Sequence, residues 1–328
     1  MTRTVLVTGV GGFVGSHVLE VLLERTDWHV IGVDSFRHNG DFVNVVDAAE
    51  HDRSRVTAVT HDLAVPFTIR RVRELDDVGV DYVVNVASRS HVDESVREPV
   101  DFVLNNVQLG LNVLELCRQI EPRRLLHVST DEVHGPRGGA VTEHRPSSPY
   151  AASKAAQADL IWAYARTYDV RATVVASANM LGERQCDTAF VPLVIRSLLA
   201  GSAITIHYAG ERPGERSYTY VRNVAHRIVD ELLIDAERDR VGSGTVDYVA
   251  LPGQRRIDNL ALAHRVADVA GLPLQVRVVQ GESSRPGYDP TYAPLDDAWT
   301  PRVDFDDGLV RTVRWGLRHY ARGRSRES

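Results

Sequence analysis

The chain contains 328 residues, 43% hydrophobic and 25% charged, with a formal net charge of -6 at pH 7. This composition is typical of an ordinary globular protein with one large or two modest domains, and the negative charge argues against a nucleic-acid partner. The two cysteines, Cys117 and Cys186, lie too far apart in the sequence to indicate a disulfide framework or a zinc site.

The chain starts with a pattern typical of a buried strand, Thr4–Thr8, which leaves no space before it for a signal peptide. No apolar run approaches the roughly 18 residues that a membrane span needs. We therefore expect a cytoplasmic protein that does not bind a membrane.

Short runs rich in β-branched residues alternate with longer helical patterns in the first 180 residues. These runs are Thr4–Thr8, His29–Asp34, Val56–Thr60, Asp81–Ala87, Arg124–Ser129 and Arg171–Ala178. The alternation predicts an α/β fold with a Rossmann-type doubly wound parallel sheet. After residue 180, helices, short strands and Gly/Pro turns mix, which indicates a smaller mixed α/β region that binds the substrate.

A glycine-rich turn follows the first strand directly. Gly9, Gly12 and Gly15 have the spacing G-x-x-G-x-x-G and precede a helix expected over residues 16–25. Glycines at such a turn allow the backbone to approach a pyrophosphate, while the helix N-terminus supplies amide donors. We therefore expect residues 1–180 to form an NAD(P)-binding domain, to which later segments return, and residues 181–328 to serve mainly the substrate.

An acidic residue, Asp34, ends the second strand. A carboxylate there can hold the ribose hydroxyls of adenosine and would repel a 2′-phosphate, which favours NAD. Arg37 and His38, just downstream, leave NADP open. After the third strand, Asp62 and Leu63 can face the adenine, although Asp62 alone is equally compatible with a turn.

Polar residues follow the fifth strand, where a doubly wound sheet forms its ligand crevice. Thr130 is followed by two carboxylates, Asp131 and Glu132, which is what an acid/base elimination requires. Adjacent side chains can also point in opposite directions, so a solvated turn is the alternative. Ser129 lacks a histidine placed to activate it, which favours hydrogen bonding over nucleophilic attack.

The only lysine of the chain, Lys154, lies four residues after Tyr150. Ser148 as N-cap and Pro149 at the first position predict a helix over residues 149–167, so the ammonium and the phenol share one face. A nearby cation stabilises the phenolate. The pair therefore indicates an acid/base tyrosine, with a chance spacing on an amphipathic helix as the alternative.

These motifs resemble the extended short-chain dehydrogenase/reductase family and, within it, the dTDP-glucose 4,6-dehydratases. The similarity spans nearly the whole chain. Its markers are residues 8–16, Ser90-His-Val-Asp-Glu-Ser95, Asn106, Ser129-Thr-Asp-Glu-Val-His-Gly135, Tyr150-x-x-x-Lys154, Asn179, Arg216 and Arg285-Pro-Gly-Tyr-Asp-Pro-Thr-Tyr-Ala293.

The resemblance implies a role for each catalytic residue. Tyr150 would take the proton of the sugar 4-hydroxyl, Lys154 would bind the cofactor ribose and lower the tyrosine pKa, and Thr130 would hydrogen-bond the same sugar oxygen. Glu132 would remove the C5 proton, and Asp131 would protonate the departing C6 hydroxyl. NAD would be regenerated in each turnover.

The resemblance also implies two binding sets. The expected cofactor-binding residues are Gly9, Gly12, Phe13, Val14, Gly15, Asp34, Ser35, Asp62, Leu63, Ala87, Ser88, Asn106, Ser129, Tyr150 and Lys154. The expected substrate-binding residues are Ser90, His91, Asn179, Arg216, Arg285 and Tyr288, among which Asn179, Arg216 and Arg285 would hold the diphosphate of a nucleotide sugar.

Several positions depart from the family pattern, and they lie on the substrate side. The departures are Asn179-Met-Leu-Gly-Glu183 for Asn-Asn-Tyr-Gly-Pro, Ala189 for a phosphate-contacting lysine, Ser217 after Arg216, Arg89 for a glutamate and His134 for a tyrosine. These changes indicate an unusual sugar, and a sugar without a nucleotide is one alternative. An NAD(P)H-dependent ketoreductase or an epimerase, or a cofactor-binding protein without catalysis, are the alternative functions.

The remaining sequence patterns concern metal binding and the oligomeric state. The chain has thirteen histidines without a paired spacing, so His91 with Asp93 favours structural or substrate contact, and we expect no metal site. Trp162, Tyr164 and Tyr168 recur at helical spacing, and this family commonly pairs through such helices. A homodimer is therefore expected, with a monomer as the alternative.

Overall fold

The structure of the chain is a computed structural model that describes residues 2–135, 144–237, 244–280 and 299–324. The strands are β1 Thr4–Thr8, β2 His29–Asp34, β3 Val56–Thr60, β4 Tyr82–Asn85, β5 Arg124–Thr130, β6 Ala172–Ser177, β7 Asn179–Leu181, β8 Ile204–Ala209, β9 Arg212–Pro213, β10 Glu215–Tyr220, β11 Val246–Leu251, β12 Arg255–Asp258 and β13 Val276–Gln280. The helices are α1 Phe13–Arg25, α2 Phe42–Ala48, α3 Ile69–Val78, α4 Val92–Arg97, α5 Pro99–Ile120, α6 Pro149–Tyr168, α7 Phe190–Ala200, α8 Val221–Glu237, α9 Asn259–Ala270 and α10 Phe305–Arg324.

A parallel sheet with the order β11-β6-β5-β4-β1-β2-β3 forms the centre of the described structure. Strand β1 lies inside the sheet, with β2 paired on one side of it and β4 on the other. Successive strands therefore extend the sheet outward from β1 in both directions. The strand order confirms the predicted doubly wound sheet. The predicted strands agree with the observed ones to within two residues at each end.

Both faces of this sheet are covered by helices, which is why its strands are almost continuously apolar. All residues of β1 and β6 are buried. One hydrophobic cluster joins the sheet to α1 and α8, and a second joins it to α3, α5 and α6. The second of these packings places α6, which carries Tyr150 and Lys154, beside β5.

Two small sheets lie beyond the central one, in the strand orders β12-β10-β7 and β13-β8-β9. A further hydrophobic cluster packs them against α7, α9 and α10. This is the mixed α/β region that the sequence predicts. None of the helices in the described ranges combines the length and apolarity that crossing a membrane requires.

Candidate active site

A cleft of about 1660 Å³ lies over the carboxyl ends of the central strands and extends to the small sheets. Most residues of the predicted site line it together. They are Gly9, Gly12, Phe13, Val14, Gly15, Asp34, Ser35, Asp62, Leu63, Ala87, Ser88, Ser90, His91, Ser129, Thr130, Glu132, Tyr150, Lys154, Asn179 and Arg216. Asn106 and Asp131 are not among the described residues that line the cleft, and Arg285 and Tyr288 lie outside the described residues.

The glycine turn is built for a close approach to a ligand. Gly9 has φ +69°, in the left-handed region that favours glycine. A Cβ on Gly15 would lie 2.0 Å from the carbonyl oxygen of Gly9, so no other residue fits there. The N-terminus of α1 follows Gly12 at the cleft wall, where its amides can bind phosphate.

The carboxylate of Asp34 is held rigidly at the end of β2. Its two oxygens accept hydrogen bonds from the backbone amides of Gly11 and Phe36, both at 2.9 Å. A Cβ on Gly40 would lie 2.6 Å from this carboxylate, so the glycine leaves room for it. Arg37 pairs with Asp62 at 3.1 Å on the surface. The glycine turn and the fixed carboxylate of Asp34 together fit a dinucleotide whose adenosine ribose has free hydroxyls.

The carboxylates after β5 separate into two environments. Glu132 is 5% exposed and faces the cleft, and Thr130 caps this turn by accepting a hydrogen bond from the Glu132 amide at 3.3 Å. Asp131 lies near Tyr248 of β11, whose pKa is raised by burial and by the Asp131 charge. Burial, and then the nearby Glu132, raise the pKa of Asp131 to about 7. Near neutral pH, Asp131 can therefore supply a proton.

Lys154 is 2% exposed, and its burial lowers the pKa of the ammonium to about 7. It follows Tyr150 by one turn of α6, which begins as predicted, with the Ser148 hydroxyl accepting from the Ala151 amide at 3.1 Å. The Nζ atom lies 3.4 Å from Nε2 of His127 on β5. His127 is a residue that the sequence patterns did not single out.

Asn106 supports the cleft from behind. Its Oδ1 accepts from the Arg89 amide, and its Nδ2 donates to the Arg89 carbonyl and to the Ser153 hydroxyl, each at 2.9 Å. These bonds fix the loop between β4 and α4. The structure thus places Asn106 under this loop, and the cofactor contact that the family resemblance implied for it stays a prediction.

The far end of the cleft is basic and more exposed. Arg216, half-buried on β10, donates to the carbonyl oxygen of Glu215 at 2.7 Å. The antiparallel pairing of β10 with β12 brings Arg256 close, and its guanidinium pairs with the Glu215 carboxylate at 2.6 Å. Arg212 also lines this end, as does Asn179. Sequence reasoning missed Arg212 and Arg256, because only the strand pairing brings them to the cleft.

Known proteins are similar to this chain along almost its whole length. The dTDP-glucose 4,6-dehydratase of Neisseria gonorrhoeae is 29% identical over 96% of both chains. The solved dTDP-glucose 4,6-dehydratase of Streptomyces venezuelae, with NAD and TYD bound, is 28% identical over 98% of both chains, with a TM-score of 0.81. The UDP-glucose 4-epimerase of Thermus thermophilus, in complex with NAD, is 28% identical over 96% of this chain and 99% of its own, with a TM-score of 0.79.

The family model described as "NAD dependent epimerase/dehydratase family" matches residues 5–236, which is most of the chain. This match confirms the resemblance, the expectation of an enzyme and the expectation of NAD as the cofactor. Dehydratases and epimerases are both present among the relatives. On the strand order, the cleft and this match, the chain belongs to the NAD dependent epimerase/dehydratase family.

Proposed function

We propose that the protein is a 4,6-dehydratase of a nucleotide sugar. The reaction would oxidise C4, eliminate water across C5 and C6 and return the hydride to C6. The observation that carries the proposal is the pair of carboxyl groups after β5, Glu132 in the cleft and Asp131 behind it with a pKa raised to about 7. Oxidation at C4 alone needs no such pair, whereas elimination needs both a base and an acid.

The residues of the chain divide this chemistry between them. NAD, when bound against the glycine turn and Asp34, supplies the acceptor and donor of the hydride. Tyr150 would take the proton of the 4-hydroxyl, while Thr130 holds the same oxygen. The 4-ketone would acidify C5, where Glu132 would remove a proton and return it as the hydride adds to C6.

Asp131 would protonate the C6 hydroxyl as it departs. Its Oδ1 atom accepts a hydrogen bond at 3.3 Å from the hydroxyl of Thr130, which lines the cleft, and its charge also acts on Tyr248 of β11. The proton is available near neutral pH because burial and the Glu132 charge disfavour the carboxylate.

A second candidate function is a ketoreductase or an epimerase that acts on a modified sugar. The position of Asp131 outside the cleft lining favours it, because Glu132 is then the one carboxylate of this pair that faces the cleft. Hydride transfer with Tyr150 and Lys154 would suffice for either reaction. The outcome at C6 separates the candidates, since C6 keeps its hydroxyl in a reductase or an epimerase.

The substrate end supports a phosphorylated substrate. The guanidinium groups of Arg216 and Arg256 and the amide of Asn179 can bind a diphosphate bidentately. We therefore include a nucleotide sugar in the proposal. The division into residues 1–180 for the cofactor and 181–328 mainly for the substrate is part of it, and the cytoplasmic location expected from the sequence stays a prediction.

The proposal also includes a homodimer that pairs through α5 and α6. Large apolar side chains are exposed on these helices, namely Val100, Leu104, Trp162 and Tyr168. Tyr164 is engaged within the chain, because its hydroxyl donates to the Glu115 carboxylate at 2.7 Å. Burial of this surface in a second copy would remove apolar area from water.

Incubation with dTDP- and UDP-hexoses and a catalytic amount of NAD tests the reaction. We expect a 4-keto-6-deoxy sugar without net formation of NADH, as measured by mass spectrometry and absorbance. Stoichiometric NADH, or C4 inversion with C6 intact, would support the second candidate function and contradict the dehydratase.

A further inference from the structure

Four buried side chains form a continuous hydrogen-bonded row beneath the cleft, one each from β1, β4, β5 and α6. The Thr8 hydroxyl lies 2.7 Å from Oδ1 of Asn85, and Nδ2 of Asn85 lies 3.0 Å from Nδ1 of His127. Nε2 of His127 lies 3.4 Å from Nζ of Lys154. Only Lys154 has a role in the function proposed above, so the row needs its own explanation.

The direction of the hydrogen bonds is set at the Thr8 end by the backbone. The Thr8 Oγ1 atom accepts from the amides of Val86 at 3.2 Å and Ala87 at 3.3 Å. These two amides occupy both lone pairs of a hydroxyl oxygen, so its remaining capacity is as a donor. The Thr8 proton therefore points to Asn85, and the oxygen of the Asn85 amide must face it.

The same direction continues through the histidine. With Oδ1 of Asn85 turned to Thr8, the amide nitrogen donates to Nδ1 of His127. A neutral imidazole that accepts at Nδ1 carries its proton on Nε2. His127 is neutral because burial lowers its pKa well below the usual range. Its Nε2–H is directed at Nζ of Lys154.

A protonated lysine cannot accept this hydrogen bond, because an ammonium has donors only. We propose that His127 is a positioning residue that donates its Nε2–H to the neutral amine of Lys154, with Thr8 and Asn85 fixing the histidine tautomer. The row thus holds the lysine as a proton acceptor before ligands enter the cleft. This holds for either of the candidate reactions.

Other titratable groups face the same part of the cleft. Glu132 comes from the turn after β5, and Tyr150 lies one turn earlier on α6. Burial is the cause that lowers the pKa of Lys154 to about 7, and the Nε2–H donor acts in the same direction because it stabilises the uncharged amine. An amine without charge gives the Tyr150 phenolate no electrostatic support. In the protein without ligands, the hydrogen bond from His127 therefore withholds that support from Tyr150.

The chain allows a direct test, because Lys154 is its only lysine. Labelling with lysine enriched in ¹³C at Cε gives one side-chain resonance, whose pH titration in the intact protein without ligands reports this group alone. We expect a pKa of about 7 for Lys154. Titration at the ordinary value near 10.5 would overturn the proposal.

Variants at Thr8 separate the hydrogen-bonded row from general packing, since Thr8 reaches the lysine only through Asn85 and His127 in this row. Thr8→Val keeps the shape but removes the hydroxyl that fixes the side-chain amide of Asn85. If this amide rotates, its oxygen can accept from Nδ1–H of His127, and Nε2 of His127 can then accept a hydrogen bond from the ammonium of Lys154. The pKa of Lys154 should then rise by about one unit, the worth of one hydrogen bond. Thr8→Ser keeps the hydroxyl and should leave the pKa unchanged. Equal pKa values of Lys154 in the two variants would contradict the proposed direction of the hydrogen bonds in the row.

A second measurement decides the question if the Thr8 variants do not fold. In the unaltered protein labelled with ¹⁵N-histidine, His127 should show the Nε2–H tautomer and should not titrate around neutral pH. His127→Asn identifies its signal by the loss of that resonance. A proton on Nδ1, or a charged imidazole at neutral pH, would overturn the assignment.

Discussion

The two ends of the cleft differ in how firmly the protein holds its side chains. At the catalytic end, Glu132 and Lys154 are buried, and both lie on elements of the central sheet or packed against it. At the substrate end, Arg212 and Arg256 are exposed on short strands of the small sheets. The residues proposed to carry the chemistry therefore belong to the core of the fold, whereas those proposed to contact the substrate can change with little effect on that core.

Burial at the catalytic end also brings the pKa values of a carboxyl group and an ammonium group close together. The pKa of Asp131 is raised to about 7 and that of Lys154 is lowered to about 7, in both cases mainly by desolvation. Groups that titrate near neutral pH exchange protons most readily there. The exposed arginines of the substrate end, in contrast, act as permanent charges.

The largest effect should follow from Glu132→Gln, which keeps the shape and removes the base. Dehydratase turnover should fall by about a thousandfold, within the range attributed to general base catalysis. Oxidation at C4 and NAD binding should persist. Product analysis with a nucleotide hexose and a separate NAD titration measure the two steps.

Asp131→Asn is the matched variant for Glu132→Gln, since it alters the neighbouring carboxyl group behind the cleft. It should slow elimination while the C5 proton still exchanges with solvent deuterium. Full dehydratase turnover in the Glu132→Gln variant would remove Glu132 from the mechanism and break the comparison at its catalytic end.

Lys154→Met should stabilise the protein while it abolishes activity. The pKa of Lys154 is about 7 in the folded chain and near 10.5 in the unfolded chain. The buried lysine therefore lowers the free energy of unfolding by its full amount below pH 7, and by less and less as the pH rises toward 10.5. The methionine variant should gain up to about 4 kcal/mol in the free energy of unfolding near neutral pH. Urea denaturation should show this gain shrinking toward alkaline pH. An equal gain at every pH would indicate packing instead.

Lys154→Arg tests whether the charge alone is sufficient. A guanidinium stays protonated and is larger, so it can neither accept from His127 nor occupy the same space. We expect kcat to fall by about a hundredfold, a substantial part of what acid/base groups contribute. Steady-state kinetics measure this loss. Near-normal activity would show that the lysine is present for another reason.

The sequence predicts the catalytic end well because local rules govern it. The glycine spacing, the alternating strands and the Ser148 cap each follow from neighbouring residues, and the structure has each of them. Tyr150 and Lys154 share one face for the same reason. These features needed no knowledge of how distant segments pack.

Features that depend on packing between distant segments escaped sequence analysis. His127 meets Lys154 only because α6 lies against β5, and a buried histidine on a strand gives no pattern of its own. Arg256 reaches the cleft through the pairing of β12 with β10. The proximity of Asp131 to Tyr248 likewise joins the turn after β5 to a residue that comes much later in the chain.

The smallest effect should come from the substrate end, where Arg216→Gln should raise KM for a nucleotide sugar about tenfold and leave kcat nearly unchanged. A charge-assisted hydrogen bond to phosphate is worth about 1.5 kcal/mol or more, and partial exposure keeps the effect at the low end. Arg256→Gln is the matched control, with a smaller rise because Arg256 is more exposed and already pairs with Glu215. A fall in kcat with KM unchanged would place Arg216 with the catalytic end, since only an interaction that forms in the transition state and not in the ground state produces that result.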